Sequence, residues 1–309
     1  MTSHPELTAD LRIGVIGAGR WGRNVIQTIR TLTGVHLTAV VSNNSRTADL
    51  VGDDCRVYPD LRSVLQNTKL DGVAICTPPA THFEIAHDVL DAGIPIFIEK
   101  PLTFDPAQAQ TLVRLAAAAG TWGMVDHIHL FSGAFQKLLT SLPDIGAIIA
   151  IKSIAGNAGP VRHDADVLWD WGPHDVAMML SVLDEVVQAF SETKQLAAGA
   201  TEVTLRLMFP GNIHATALLS NGLTERIRDF SVEGDIGTLR YRDTGEERVC
   251  MLETNGKAET LLVETAKPLT TALQSFTACI KNNTPLYSNL ALGADVVRIL
   301  AAADGREAL

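Results

Sequence analysis

RIGVIGAGRWG, residues 12–22, decides the fold. RIGVI (12–16) is a short apolar run, and WGRNVIQTIRTL (21–32) places its apolar residues at helical spacing. Between them Gly17, Gly19 and Gly22 fit G-x-G-x-x-G, just after a predicted strand and opening a predicted helix. Glycines there permit a tight turn and let the backbone approach a pyrophosphate. The helix N-terminus adds unpaired N–H groups and a partial positive charge. A glycine turn with no ligand is the bland alternative; strand, turn and helix in register favour a dinucleotide. Gly17, Gly19, Arg20, Trp21 and Gly22 are therefore the first candidate cofactor contacts.

Outward from the loop the same alternation continues. HLTAVV (36–41), DGVAIC (71–76), IPIFI (94–98) and TWGMV (121–125) read as strands, separated by amphipathic stretches such as HFEIAHDVLDAG (82–93) and PAQAQTLVRLAAAAG (106–120). Strand alternating with helix implies βαβ units and a doubly wound parallel sheet over residues 1–126. From residue 127 the texture changes. FQKLLTSL and HDVAMMLSVL (174–183) read as helices. TEVTLRLMF, NIHATALLS, ERIRDFSVEG, IGTLRYR and ERVCMLE read as strands, and LTTALQSFTACIKN and LALGADVVRILAAADG as helices. Runs of strands joined by turn residues predict an α+β second domain, 127–309, with a largely antiparallel sheet. Its last helix is free to pack back on the first domain.

At 309 residues two domains are the default. An apolar content of 46% with 19% charged residues suits a packed globular protein. The net charge of −10 argues against nucleic-acid binding, which calls for a basic face. Cys55, Cys76, Cys250 and Cys279 are too scattered for a zinc site or a disulfide framework, which points to reduced thiols. MTSHPELTADLR lacks the pattern of a signal peptide, and the most apolar helical stretch carries Arg114 and is too short for a bilayer. A cytoplasmic protein without membrane attachment is expected.

The end of the second strand selects the cofactor. NAD-binding sheets carry Asp or Glu there for the ribose, whereas this chain has Ser42-Asn43-Asn44-Ser45-Arg46. With no carboxylate to repel a 2′-phosphate, and with Arg46 able to pair with one, NADP is favoured over NAD. Arg46 reads equally well as an exposed helix residue.

Two charged clusters carry the chemistry. IPIFIEKPL (94–102) drives a buried strand into Glu99-Lys100-Pro101, although Lys and Glu are seldom buried unpaired. VLWDWGPHDVAMML sets Asp170 four residues before His174. Histidine transfers protons near neutral pH, and a neighbouring carboxylate can orient it or hold a substrate hydroxyl. The plain alternative makes Asp170 or Asp175 a helix cap and His174 a turn residue. Trp169 and Trp171, flanking Asp170, can stack on a sugar ring or simply pack the core. His127 and His129 alternate on one strand face and, with His163 or His174, raise the question of a metal. They lack nearby acids or cysteines, so no metal is expected.

With GAGRWGRN, TPPATH (77–82), FIEKPL, LWDWGPHD and SNLALGADVV in this order, the chain resembles the Gfo/Idh/MocA oxidoreductases. It is most similar to the branch that oxidises sugars and nucleotide sugars. The resemblance implies NAD(P)-dependent oxidation or reduction of a sugar secondary alcohol. Lys100, Asp170 and His174 would be catalytic. Thr77, Pro78, His82, Glu99 and Lys100 would lie at the cofactor, with Ser42 and Arg46 at its adenosine end. Lys100, His127, Arg162, Asp170 and His174 would hold substrate, Pro101 would shape the turn through a cis bond, and the protein would be a homodimer or homotetramer. Many members carry Asp three residues after the histidine, where this chain has Ala177. A non-catalytic sensor and an NAD-dependent glycosidase are the alternatives of the same fold.

Overall fold

The computed structural model describes residues 10–158, 165–282, 284, 289–307 and 309. Its first half runs β1 (Leu11–Ile16), α1 (Arg20–Ile29), β2 (Val35–Val41), α2 (Thr47–Val51), β3 (Arg56–Tyr58), α3 (Leu61–Asn67), β4 (Gly72–Ile75), α4 (His82–Asp91), β5 (Ile96–Ile98), α5 (Pro106–Ala118) and β6 (Gly123–Val125). The strands form one parallel sheet in the order β3-β2-β1-β4-β5-β6. The chain leaves β1 toward one edge and returns at β4 to build the other. Open α/β sheets bind ligands at such a reversal, beyond the carboxyl ends of the strands. The apolar runs of β1, β4 and β5 are buried along both faces, as helix-covered parallel strands must be.

The second half runs α6 (Gly133–Thr140), β7 (Ile148–Ala158), α7 (Val167–Val182), β8 (Gln188–Gln195), β9 (Thr201–Phe209), β10 (Ile213–Ser220), β11 (Gly222–Gly234), β12 (Gly237–Asp243), β13 (Arg248–Thr254), β14 (Lys257–Leu261), α8 (Pro268–Asn282) and α9 (Leu290–Ala303). Its sheet is ordered β14-β13-β12-β11-β7-β10-β9-β8 and is antiparallel except for the parallel pair β7–β10. Strand residues alternate inward and outward. Ile151, Ser153 and Ala155 of β7 are buried while Lys152 and Ile154 are exposed. Helices α6 and α7 cover the buried face, and α9 packs on both α7 and α5 of the first half.

The structure adds elements to the sequence reading. α2, β3 and α3 are too short to show a period, and the edge strands β8 and β14 are polar, so none of them stands out in the sequence. The helix expected over 174–183 begins at Val167 and carries Pro173 inside it. Asp166 caps it, its side chain accepting from the Trp169 N–H at 3.0 Å. Gly172-Pro173 read as a break because proline lacks the helical N–H. Here Leu168, Trp169, Val176, Met178 and Met179 are all buried, and that packing outweighs the lost hydrogen bond. Neither Asp170 nor Asp175 is the cap.

Candidate active site

The glycine loop has the form the phosphate reading requires. Gly17 lies at φ +97°, and a Cβ on it would stand 2.9 Å from the Cys76 carbonyl oxygen. A Cβ on Gly22 would fall 2.0 Å from the Gly17 carbonyl oxygen, so α1 packs directly on the loop. Gly19 is the exception: a Cβ there meets nothing within 4 Å. Its hydrogen faces open space at the N-terminus of α1, with exposed Arg20 beside it and no acidic residue in the first turn. That is the cradle a pyrophosphate fits. Gly19→Ala is expected to leave the melting temperature unchanged and weaken NAD(P) binding about tenfold, equivalent to ~1.4 kcal/mol. Gly22→Ala is expected to lower both. Calorimetric titration beside thermal melts reads the difference.

At the end of β2, Ser42 Oγ pairs with Thr47 Oγ1 at 2.8 Å and accepts from the Asn44 N–H at 3.2 Å. A depression of about 310 Å³ opens there, lined by Ser42, Asn43, Asn44, Ser45 and Tyr58 among others. No carboxylate lines it. Arg46 stands outside this lining, exposed at the N-terminus of α2. The candidate 2′-phosphate partner is thus on the rim, and the adjacent polar groups are the asparagines and serines.

Where β5 ends, the Lys100–Pro101 peptide is cis. Lys100 Nζ donates to Asp170 Oδ1 at 3.0 Å and to the Asp170 carbonyl oxygen at 2.5 Å. The first turn of α7 is thereby tied to the end of the first sheet, across seventy residues of sequence. Both side chains are mostly shielded, at 13% and 19% exposure, which strengthens the pair relative to a surface one. Thr77 is half-buried and Pro78 exposed at the neighbouring loop, and Thr81 Oγ1 donates to Thr77 Oγ1 at 2.8 Å. His82 is fully buried, contrary to its expected place against the cofactor. Its Nδ1 lies 2.8 Å from the Pro101 carbonyl oxygen and its Nε2 3.0 Å from that of Thr77. It braces the two loops and presents no surface to a ligand.

Behind Lys100 sit two groups of buried titratable side chains. Glu99 Oε1, both oxygens of Asp126 and Trp21 Nε1 are shielded from solvent. Burial, with the Asp126 charge second, raises Glu99 well above the carboxylate range; burial pushes Asp126 up to about 6. Glu99 therefore presents a buried carboxyl group backed by Asp126. An acid whose folded pKa is raised stabilises the fold at low pH, and that contribution is lost as pH rises through the folded value. Asp126→Asn is accordingly expected to gain stability relative to the wild type as pH climbs through about 6, with no such gain at pH 4; urea midpoints across pH check it.

The second group is histidine. His127 is 1% exposed, neither ring nitrogen has a hydrogen-bond partner among the described residues, and burial with the Lys100 charge lowers it to about 3. His174 is held well below its ordinary value by burial first and then by Lys100, His129, Arg228 and His127. Its Nδ1 is buried without a partner among the described residues, and its ring stands edge-to-face on His129, centroids 5.0 Å apart. His174 is consequently neutral at pH 7, the state that can accept a proton. Trp169 is core, 1% exposed and edge-on to Phe104 at 5.3 Å, so sugar stacking falls to half-buried Trp171 alone. Among the described residues, no three His, Cys, Asp or Glu side chains converge as metal ligands. Arg162 and His163 lie outside the described residues.

Sequence reasoning missed the supports of this cluster. Asp175 is fully buried, accepting from Arg228 Nη1 at 2.6 Å and Ser153 Oγ at 2.5 Å. Arg228 is itself 2% exposed and lies 5.8 Å from the Trp171 ring centroid. His129, Tyr241 and Asp243 form a further buried line. The one available signal was alternation: Arg228 and Phe230 share a face of β11, as Tyr241 and Asp243 share one of β12.

A doubly wound sheet with a glycine cradle at its switch point, joined through Lys100 to a helix of a second sheet, defines a two-part dinucleotide-binding protein. Residues 11–127 match the family model GFO_IDH_MocA, an oxidoreductase family with an NAD-binding Rossmann fold, and the chain belongs to that family. It is similar to a solved structure from Magnetospirillum magnetotacticum MS-1, assigned as an oxidoreductase without a stated substrate. The identity is 35% and the TM-score 0.88, covering 95% of this chain and 99% of that one. A UDP-N-acetylglucosamine 3-dehydrogenase of Acidithiobacillus ferrooxidans is 30% identical over 172 residues, 55% of this chain and 53% of the relative. An inositol 2-dehydrogenase of Saccharopolyspora erythraea is 32% identical over 224 residues, 70% and 61%. The matches thus span about half to three fifths of these curated relatives.

Proposed function

We propose that the chain is an NAD(P)-dependent dehydrogenase acting on a secondary hydroxyl of a sugar, nucleotide sugar or cyclitol, with NADP favoured by the acid-free end of β2. The observation that carries this reading is the Lys100 ammonium fixed by Asp170 beside a half-buried His174 that is held neutral. A bound nicotinamide supplies the hydride acceptor, or its reduced form the donor. Gly17, Gly19 and Gly22 hold the pyrophosphate, Thr77 and Pro78 flank the ring end, and Ser42 faces the adenosine. Lys100 stabilises negative charge on the reacting hydroxyl oxygen. His174 takes the hydroxyl proton at Nε2, its Nδ1 being enclosed. Asp170 holds Lys100 in place and orients the hydroxyl, and His127 walls the site. The relatives named above supply the substrate class. Residues 1–126 would bind cofactor and 127–309 substrate. Exposed Ile154 and Phe190 on the outer face of the second sheet fit a homodimer or homotetramer. Among the described residues no helix is long and apolar enough to cross a membrane.

The test is nicotinamide absorbance in single turnovers with NADP or NAD against a panel of UDP-sugars, free hexoses and inositols. A substrate-dependent signal supports the reading and names cofactor and substrate together. Tight binding with no redox signal across the panel overturns it in favour of a sensor. Product formed without net cofactor turnover points to the glycosidase.

A further inference from the structure

A line of buried polar groups runs away from the candidate site into the second sheet. His129, in the turn Ile128–Phe131, places Nδ1 2.9 Å from Tyr241 Oη. Tyr241 Oη donates to Asp243 Oδ2 at 3.4 Å, and Arg248 Nε donates to the same oxygen at 3.1 Å. The Gly245 N–H donates to Asp243 Oδ1 at 2.6 Å. Asp243 also stands 3.7 Å from His129 Nδ1. His129, Tyr241 and Asp243 are all buried.

The direction of these hydrogen bonds is fixed by who can donate. Asp243 accepts from Arg248 and Gly245, and from the Tyr241 hydroxyl as well. The tyrosine oxygen is then left to accept, and His129 must donate from Nδ1. Its other nitrogen carries no proton, since burial and the charges of Arg228, Arg226, Arg248 and Lys100 all oppose a second one. The His129 ring thus has one tautomer and one orientation, and the His174 ring rests on it edge-to-face.

We propose that Tyr241 and Asp243 are positioning residues that lock the Nδ1–H form of His129 and, through its ring, hold His174 at the angle its proton transfer requires. The effect on catalysis rests on the dehydrogenase reading; the tautomer lock does not. The groups facing His174 are Lys100, His129, Arg228 and His127, and those facing His129 are Arg228, Arg226, Arg248, Lys100 and Asp243.

The test uses the full chain with ¹⁵N-labelled histidine, whose long-range proton–nitrogen correlations report each ring's tautomer, on wild type, Tyr241→Phe and Asp243→Asn. The expected wild-type result is His129 protonated at Nδ1 and unchanged from pH 8 down to pH 5.5. Both variants should lose that signature and shift the His174 resonances. An Nε2–H His129 in the wild type overturns the proposal without any variant, so a misfolded variant does not shelter it. Unmoved His174 resonances in a folded variant overturn it too. On the substrate found active, both variants should lower kcat about tenfold, leave cofactor affinity unchanged and displace the acid limb of the pH profile. A fall in stability with kcat and that limb intact would mean structure only. Loss of activity on every substrate in the wild type would count against the dehydrogenase reading and leave the tautomer result standing.

Discussion

Lys100→Met is expected to abolish turnover while leaving the fold and dinucleotide binding intact. The methionine keeps most of the side-chain volume, so the end of β5 stays packed. What disappears is the ammonium that donates to Asp170 from the end of β5. Losing one preorganised donor to a developing oxyanion lowers kcat about 10²–10³-fold. Here the change also releases the first turn of α7, where Asp170 lies one turn before His174. The combined expectation is a fall in kcat/KM on the order of 10³-fold or more, with the dissociation constant for NAD(P) within threefold of the wild type. Single-turnover absorbance gives the first quantity and cofactor fluorescence titration the second. A variant retaining a tenth of wild-type turnover would remove Lys100 from the chemistry and leave it a strut.

Arg228→Leu is the substitution with the largest expected cost in stability. It strands Asp175, fully buried, with the Ser153 hydroxyl as its one remaining partner among the described residues. Breaking a buried ion pair from one side costs about 3–5 kcal/mol, because the charge left behind has no water. Against a total stability of roughly 5–15 kcal/mol that is a large share. The urea midpoint should drop accordingly with little change in slope. The double variant Arg228→Leu/Asp175→Leu should recover most of the loss, since an apolar pair is a tolerable replacement for a buried ionic one. If the single variant stays within about 1 kcal/mol of the wild type, Asp175 is not charged in the fold.

The parts of this architecture legible in the sequence are those with local causes. RIGVIGAGRWG shows strand, turn and helix within eleven residues, and β4, β5 and α5 announce themselves by unbroken apolar runs and spacing. Asp170 and His174 are visible as a pair because they sit one helical turn apart. Their meeting with Lys100 depends on how two sheets approach, which no local pattern encodes; only the resemblance supplied it. The supports were hidden for a related reason. Arg228, Asp243 and Asp175 are charged residues in alternating strands and an amphipathic-looking helix, where charge reads as solvent face. They are inside because each meets an opposite charge from another element, Arg228 of β11 with Asp175 of α7 and Asp243 of β12 with Arg248 of β13. His82 was misplaced because a histidine in a ligand loop looks the same whether its nitrogens face the ligand or the loop's own carbonyls.

Helix α9 has a consequence for how the protein is made. It closes on the first sheet at Val125 and Leu102, so tightly that a Cβ on Gly293 would come within 2.6 Å of Val125. It also meets the second sheet's layer, where Trp169 Nε1 donates to Asp304 at 3.3 Å and Ser191 Oγ to the Ala303 carbonyl oxygen at 2.8 Å. A ribosome completes β6 and every strand of the second sheet before it reaches this clasp. At ordinary elongation speeds the nascent first sheet waits on the order of ten seconds with that apolar flank bare. For that interval the growing chain offers chaperones a sticky seam, and the two halves gain their mutual alignment only as synthesis nears its end.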